Sequence, residues 1–300
     1  MTFSFSDFAA SLQQGHQLTA EDMLAVRRAV WPDGRVSDTE ARLVFDLNRA
    51  ILEPSAEWRD FFTEAMTDYV VNQKAPRGYV DEANAAWLID QVDRDGEPVS
   101  RLEVALVVKV VERALNCPAS LRDWALAQIE EAIARGSKSV DAEECGLLRR
   151  LVFAPGGEGA LVVGKDEAEA LWRLKDACLH SDNAPEWKAL FVQAVGNHLM
   201  AWSSYKPLER DEAARLEAFV ADNRSSIGGF FSRMRGANPF AEAKKLVGEE
   251  KSIDHADRLA EAEAITADEQ NWLDRNVEAD GARDPYEEAL LAFVAAEKRN

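Results

Sequence analysis

Residues 33–40 read DGRVSDTE, and this stretch decides the fold. Ser37 followed three residues later by Glu40 is the pattern of a capping box, which begins a helix. The Asp-Gly pair before it favours a tight turn, because glycine readily adopts a positive φ angle. The stretch therefore predicts two helices joined by a short turn. The apolar residues of the second helix share one face: Leu43, Val44, Leu47, Ala50 and Ile51.

The same turn followed by a glutamate occurs twice more along the chain. Asp95-Gly96 precedes Ser100 and Glu103, and Asp280-Gly281 precedes Glu287. Alternating runs of β-branched residues, which would indicate strands, are nearly absent, whereas Ala, Leu, Glu and Arg dominate at helical spacing. The sequence therefore predicts an all-α protein in which one helical unit is copied several times.

The helix starts recur at a fixed period. Glu21, Glu82 and Glu143 are each 61 residues apart. A further helix of the unit carries an aromatic residue, and its copies at 56–62 and 185–191 align closely. These features predict degenerate tandem repeats of three-helix units with a period of about 61 residues, each packing against its neighbours.

Two helical lobes are expected, residues 1–135 and 136–300, with two units in each. A stretch at about 224–262 interrupts the second lobe and is glycine-rich, aromatic and locally basic. This composition is typical of a loop or docking segment, and the alternative is a variable insertion without a function. As a docking segment, its part at 227–235 would contact a partner or the surface of a membrane through four side chains: Phe230, Phe231, Arg233 and Arg235.

The chain carries 54 acidic and 35 basic side chains, a net charge of −19. Because phosphate backbones attract basic surfaces, this charge argues against nucleic acid as a partner and favours proteins with a basic face. No stretch approaches 18 consecutive apolar residues, so no transmembrane segment is expected. Three cysteines without a Cys-x-x-Cys pair suit buried thiols in a cytoplasmic protein: Cys117, Cys145 and Cys178.

Motifs of known catalytic sites are missing from the sequence. Residues 159–165 have the spacing of a phosphate-binding loop, but Asp166 stands where that loop needs Ser or Thr to hold magnesium. The four histidines are scattered without the spacing of metal ligands. The sequence therefore predicts a protein that is not an enzyme and has no cofactor.

The Asp-Gly turns also invite comparison with the calcium loop of an EF-hand, which places oxygen ligands near positions 1, 3, 5, 9 and 12 and a glycine at position 6. In the second turn, Asp93 and Asp95 take positions 3 and 5, but Leu102 stands at position 12. A turn that only caps two helices is the alternative. The last turn fits best, with five side chains at ligand positions: Asn276, Glu278, Asp280, Asp284 and Glu287.

These turns resemble those of the TerB-like (tellurite-resistance TerB) helical domain, in which an Asp-Gly pair and a later glutamate join two helices. The matching stretches are 33–40, 95–103 and 280–287. The resemblance implies a helical bundle with an acidic surface, associated with metal-linked stress responses rather than with catalysis. If a metal role carries over, the resemblance implies six carboxylates as its ligands: Asp33, Glu40, Asp95, Glu103, Asp280 and Glu287.

Two functions follow from these observations. The first is a protein-interaction scaffold, because helical repeats create extended surfaces and an acidic face attracts a basic partner. The alternative is a protein that responds to Ca²⁺ or another divalent cation, bound weakly by carboxylates at the Asp-Gly turns. A cation that binds the native state would stabilise it, whereas a scaffold would be indifferent to such ions.

Overall fold

The computed structural model describes residues 5–14, 18–31, 34–94, 96, 98–155, 162–200, 267–277 and 283–297. All regular secondary structure in these residues is helical, which confirms the predicted all-α class. No helix in this described part is long and apolar enough to cross a membrane. The insertion expected at about 224–262, with its four proposed docking residues, lies outside the described residues.

The chain divides into two compact units, Met1–Gln128 and Ile129–Asn300. The described helices of the first unit are α1 (Phe5–Gln13), α2 (Ala20–Val30), α3 (Asp38–Ala50), α4 (Ala56–Asp68), α5 (Glu82–Val92) and α6 (Arg101–Arg113), with a π-helical turn, Tyr69–Gln73, directly after α4. The division falls within α7 (Ala119–Arg135). The second unit continues with α8 (Ala142–Val152), α9 (Lys165–Cys178), α10 (Pro185–Leu199), α11 (Ala267–Val277) and α12 (Pro285–Glu297).

Capping boxes begin several of these helices, as the sequence predicts for Ser37 and Ser100. The Ser37 Oγ accepts a hydrogen bond from the Glu40 N–H, and Glu40 Oε2 accepts one from the Ser37 N–H at 2.7 Å. These bonds satisfy N–H groups that a helix start leaves without an intrahelical partner. The positive φ predicted for the turns is confirmed at Gly34 and Gly96, where φ is 80° and 70°.

Five rings from α3, α4, the π-helical turn and α5 pack in the core of the first unit. Phe45 contacts Phe62 and Trp87 edge to face, with centroids 5.3 and 6.1 Å apart. Trp58 lies nearly parallel to Phe62 at 6.4 Å, and Tyr69 meets Trp87 at 5.4 Å. Such aromatic pairs stabilise a core beyond the area that they bury. We call these five residues the first ring cluster.

The second unit contains a similar ring cluster, formed by α9, α10 and α11, in which Trp187 meets Phe191 edge to face and not in parallel. Trp172 meets Phe191 and Trp272 at 5.4 and 5.5 Å. Trp187 lies 6.3 Å from Phe191, and His198 lies 5.3 Å from Trp272. The two clusters therefore share one pattern of ring pairs, in which the pair His198–Trp272 resembles the pair Tyr69–Trp87. The tryptophans of both clusters are buried except for half-buried Trp87.

The three cysteines are buried free thiols, as the sequence predicts. Burial raises the pKa of Cys145 to about 11, and it also raises the pKa of Cys178. Both thiols therefore stay protonated at neutral pH, which makes them poor nucleophiles. Their part in the molecule is to fill space in the core.

Candidate functional site

Carboxylates at the Asp-Gly turns are the site that the sequence singles out, and the structure describes some of them. Of the ten proposed metal ligands, four lie outside the described residues: Asp33, Asp95, Glu278 and Asp280. The described ones are Glu40, Asp93, Glu103, Asn276, Asp284 and Glu287. Among the described residues, only Asp284 and Glu287 of this set belong to a cluster of ligand atoms close enough to hold a metal ion.

Glu40 and Glu103 cap helices. Glu40 completes the capping box that begins α3, and Glu103 completes the one that begins α6. Glu103 Oε2 accepts hydrogen bonds from the Ser100 N–H at 3.0 Å and from the Ser100 hydroxyl at 2.7 Å. Its other oxygen, Oε1, accepts a bond from Asn48 Nδ2 at 3.4 Å. The Glu103 carboxylate is buried, so its oxygens are committed to the helix start and to α3.

Asp93 and Asn276 lie at the ends of helices and make no cluster with the other proposed ligands in the described part. Asp93 is exposed, directly after α5. Asn276 lies in the last turn of α11, where its Nδ2 donates a hydrogen bond to the Trp272 carbonyl at 2.8 Å. Both positions are typical of residues that end a helix.

Asp284 and Glu287 hold a buried lysine. The Nζ of Lys175, on α9, lies 2.6 Å from Asp284 Oδ2 and 2.8 Å from Glu287 Oε1. Asp176 Oδ1 lies 2.6 Å from the same nitrogen, on an exposed side chain. Only 1% of the Lys175 side chain is exposed, and a buried ammonium is tolerated only when anions or other acceptors surround it. We call these four residues the lysine cluster.

The two buried carboxylates of the lysine cluster also begin α12. Asp284 Oδ1 accepts hydrogen bonds from the backbone N–H groups of Tyr286 at 2.7 Å and Glu287 at 3.0 Å. Glu287 Oε2 accepts one from the Asp284 N–H at 3.1 Å. One oxygen of each carboxylate thus caps α12 and the other binds the ammonium, so the cluster ties the start of α12 to α9.

The charges in the lysine cluster reinforce one another. Burial alone would lower the pKa of Lys175, but its hydrogen bonds with the three carboxylates outweigh burial and raise that pKa above its ordinary value. Burial alone would raise the pKa of Asp284, but the bond from Lys175 and the backbone N–H bonds hold it below its ordinary value. Both groups are therefore charged at neutral pH, and Lys175 has no free electron pair to act as a base or nucleophile.

Carboxylate oxygens of Asp176, Asp284 and Glu287 lie within 4.8 Å of one another, a spacing that suits a metal ion. Three carboxylates are the kind of donor set that hard cations such as Ca²⁺ prefer. The Lys175 ammonium lies among these oxygens and neutralises part of their charge. A divalent cation at this place would have to displace the ammonium.

Lys175 and its neighbour Asp176 are the residues of the site that sequence reasoning missed, and Lys175 is the central one. Lys175 falls on the buried face of α9, between Leu171 and Cys178 on neighbouring turns. A lysine at a position that the helical pattern assigns to the core is itself a signal, because charged residues are almost never fully buried unless they are paired. The buried position of Lys175 thus indicates an anionic partner, but it does not identify that partner. Asp284 lies more than 100 residues away along the chain.

In the first unit, an amide side chain makes a contact similar to that of the lysine in the lysine cluster. Asn48 on α3 donates a hydrogen bond to Glu103 at the start of α6, as Lys175 on α9 does to Glu287 near the start of α12. The Asn48 Oδ1 accepts a hydrogen bond from Trp58 Nε1 at 3.0 Å. In the second unit, the corresponding Nε1 of Trp187 is buried with no hydrogen-bond partner among the described residues. An ammonium cannot accept a hydrogen bond, so the lysine leaves this indole unsatisfied.

The lysine cluster predicts a specific acid sensitivity. The pKa of Asp284 is lower in the folded state than in the unfolded state. The ionised carboxylate therefore adds to the free energy of unfolding at pH values above the unfolded-state pKa of about 3.9. The contribution is lost as the pH falls through the lower folded-state pKa. We expect the loss of unfolding free energy caused by Asp284→Asn to be largest at neutral pH and to shrink below about pH 4.

Denaturant unfolding at a series of pH values measures this difference, with Asp182→Asn as the control. Asp182 is exposed, so its replacement should change stability little at any pH. A pH-independent loss in Asp284→Asn would contradict the assignment of a charged Asp284 paired with Lys175.

Comparisons with known proteins give no match to which this site can be related. No protein-family model matches it, and neither a curated protein nor a solved structure is significantly similar to it. The function must therefore be argued from the residues themselves.

Proposed function

We propose that the chain consists of two copies of one TerB-like helical unit and acts as a non-catalytic scaffold for a protein partner. Three features support the duplication: the two ring clusters, the shared helix order, and a pair of similar contacts. In that pair, Asn48 contacts Glu103 in the first unit and Lys175 contacts Glu287 in the second. Each copy then corresponds to a whole lobe. The shorter period of about 61 residues would describe similar hairpins within a copy.

An unpaired acidic stripe on α4 is the observation that carries the scaffold proposal. Glu57, Asp60 and Glu64 are exposed, and their spacing of three and four residues puts them on one helix face about 10 Å long. The opposite face of α4 is buried, with Trp58 and Phe62 in the first ring cluster. None of the three carboxylates makes an ion pair or hydrogen bond with another described residue.

Some carboxylates of the second unit do have cationic partners. Glu130 pairs with Arg173 at 3.1 Å, and Glu131 pairs with Arg135 at 3.5 Å. Like charges three or four residues apart destabilise a helix by about 0.2–0.5 kcal/mol, and a partner that supplies cations removes this cost. The acidic stripe therefore fits an amphipathic helix with Lys or Arg at the same spacing.

Catalysis and cation binding have weaker support. The buried carboxylates Glu103, Asp284 and Glu287 are engaged with helix starts and with other side chains, which leaves no reactive pair among them. A protein that responds to Ca²⁺ or another divalent cation stays our second candidate, because an ion at the lysine cluster must compete with Lys175. The proposed location is the cytosol, since buried free thiols suit a reducing compartment.

Peptide binding tests the scaffold proposal. The probe is a fluorescent, lysine-rich helical peptide, and the protein is the full chain with Glu57→Gln, Asp60→Asn and Glu64→Gln combined. We expect the variant to bind about tenfold more weakly than the wild type, because three exposed ion pairs of about 0.5 kcal/mol each are lost. Fluorescence anisotropy at low salt measures both affinities, since salt screens exposed pairs.

A second triple variant controls for net charge. Asp166→Asn, Asp182→Asn and Glu288→Gln remove the same charge from exposed positions of the second unit. The proposal expects this control to bind the peptide nearly as well as the wild type. An equal loss of peptide affinity in both variants would mean that the peptide responds only to the net charge of the protein. That result would contradict a partner site on the acidic stripe.

A further inference from the structure

A cavity of about 650 Å³ opens in the first unit, and neither the scaffold proposal nor the lysine cluster uses it. Its walls come from the turn before α3, the π-helical turn and the loop that leads to α5. Cavities that bind small molecules have volumes of about 300–1,000 Å³. This one has mainly polar walls, so its ligand must bring charges or hydrogen-bonding groups.

Cationic side chains outnumber carboxylates in the walls of this cavity, in a chain whose net charge is −19. Arg35, Lys74 and Arg77 line it together with Asp38 and Asp68. Asp68 accepts hydrogen bonds from the side-chain amides of Asn72 and Gln73, at 2.8 and 2.7 Å. Asp38 accepts a hydrogen bond from the Tyr69 hydroxyl and pairs with Lys74 at 3.6 Å. Both carboxylates thus have partners in the wall, and Lys74, the ion-pair partner of Asp38, would share its charge between Asp38 and a ligand.

Lys74 is held in place at the wall of the cavity. Its Nζ lies 4.6 Å from the centre of the Trp87 ring and 5.1 Å from that of Tyr69. It also lies 3.3 Å from the Tyr69 hydroxyl oxygen, and its side chain is 15% exposed. A cation fixed by two rings and a hydroxyl loses little conformational freedom when it meets an anion.

We propose that this cavity binds a small organic anion through Lys74 and Arg77, by way of the ligand's carboxylate or phosphate groups. Arg77 is exposed at the cavity, and its planar guanidinium suits two-point contact with either kind of anion. The amides of Asn72 and Asn84 line the same walls and supply hydrogen bonds for the rest of the ligand. This inference rests on the first unit alone and is independent of the acidic stripe.

Isothermal titration of the full-length protein tests the proposal, at constant ionic strength. The probes are citrate, a hexose phosphate and the same hexose without phosphate. We expect saturable binding of at least one anion and none of the neutral hexose. Binding of citrate alone would assign the site to carboxylates, and binding of the hexose phosphate alone would assign it to phosphates.

Two variants and a control locate the binding. Arg77→Gln changes an exposed residue and should weaken binding about tenfold, the usual cost of a lost hydrogen bond to a charged group. Lys74→Gln should weaken it at least as much. Arg28→Gln, an exposed arginine of α2 outside the cavity, should leave it unchanged. The absence of saturable binding up to about 10 mM, equal binding of the neutral hexose, or an equal loss in Arg28→Gln would overturn the proposal.

Discussion

Replacing Lys175 by methionine is expected to lower the free energy of unfolding by about 3–5 kcal/mol. Methionine fills similar volume, so the loss comes from the charges: Asp284 and Glu287 stay buried without the ammonium that binds both. Guanidinium unfolding followed by tryptophan fluorescence measures the change. Lys165→Met on the same helix is the control, because its ion pair with Glu169 is exposed and should contribute less than about 1 kcal/mol.

The first unit suggests how the loss can be reversed. In Lys175→Asn with Asp284→Ser, the second unit would carry the polar residues that the first unit has at Asn48 and Ser100. The amide introduced on α9 would donate a hydrogen bond to Glu287 and accept one from Trp187 Nε1, which has no partner among the described residues. We expect this double variant to lose less than half of the stability that Lys175→Met loses.

The double-mutant cycle decides whether the two units are equivalent. Lys175→Asn alone leaves Asp284 buried without a counter-charge. The losses of unfolding free energy in the two single variants should therefore add up to more than the loss in the double variant, which is a favourable coupling. If the double variant is as unstable as Lys175→Met, the correspondence between Asn48 and Lys175 is wrong.

Replacing Gly196 by alanine is expected to lower the free energy of unfolding by about 1–3 kcal/mol, because the added methyl group overpacks the core. A Cβ at this position of α10 would lie 2.5 Å from Phe293 Cε1 and 2.9 Å from Phe293 Cδ1. Phe293 is buried on α12, so its ring has little room to move away. Denaturant unfolding measures the loss, and Phe293→Leu in the same background should recover part of it by removing ring atoms.

Gly146 provides the matched control for Gly196. It also lies inside a helix, α8, but a Cβ there meets no atom within 4 Å. Gly146→Ala should therefore stabilise the protein by about 0.5–1 kcal/mol, since alanine favours helix and loses less backbone entropy on folding. No loss at Gly196 would contradict the close packing of α10 against α12. A loss at Gly146 as large as that at Gly196 would contradict the assignment of the Gly196 loss to the contact with Phe293.

The all-α class and the helix starts were predictable because their causes are local. A capping box such as Ser37 with Glu40 lies within four residues, and the positive φ of Gly34 follows from the turn next to it. The close alignment of 56–62 with 185–191 was also visible, and the two ring clusters extend it to neighbouring helices. The sequence did not reveal which rings meet, because helices far apart along the chain make those contacts.

The lysine cluster shows what local patterns cannot provide. The turn before α12 offers carboxylates and one amide, so the sequence predicts Asp284 and Glu287 as ligands for an external cation. The cation that the structure places beside them is Lys175, from a helix more than 100 residues earlier. A turn pattern contains no information about the helix that packs on it, whereas the buried position of Lys175 within α9 does hint at an anionic partner.

Amide chemical-shift mapping tests the scaffold proposal most directly. The isotope-labelled full chain is titrated with the lysine-rich helical peptide, and shifts are followed residue by residue. The proposal predicts the largest shifts in residues 56–64 of α4, and their loss in the Glu57→Gln, Asp60→Asn and Glu64→Gln variant. Shifts spread over exposed carboxylates of both units, or centred away from α4, would contradict a partner site on the acidic stripe.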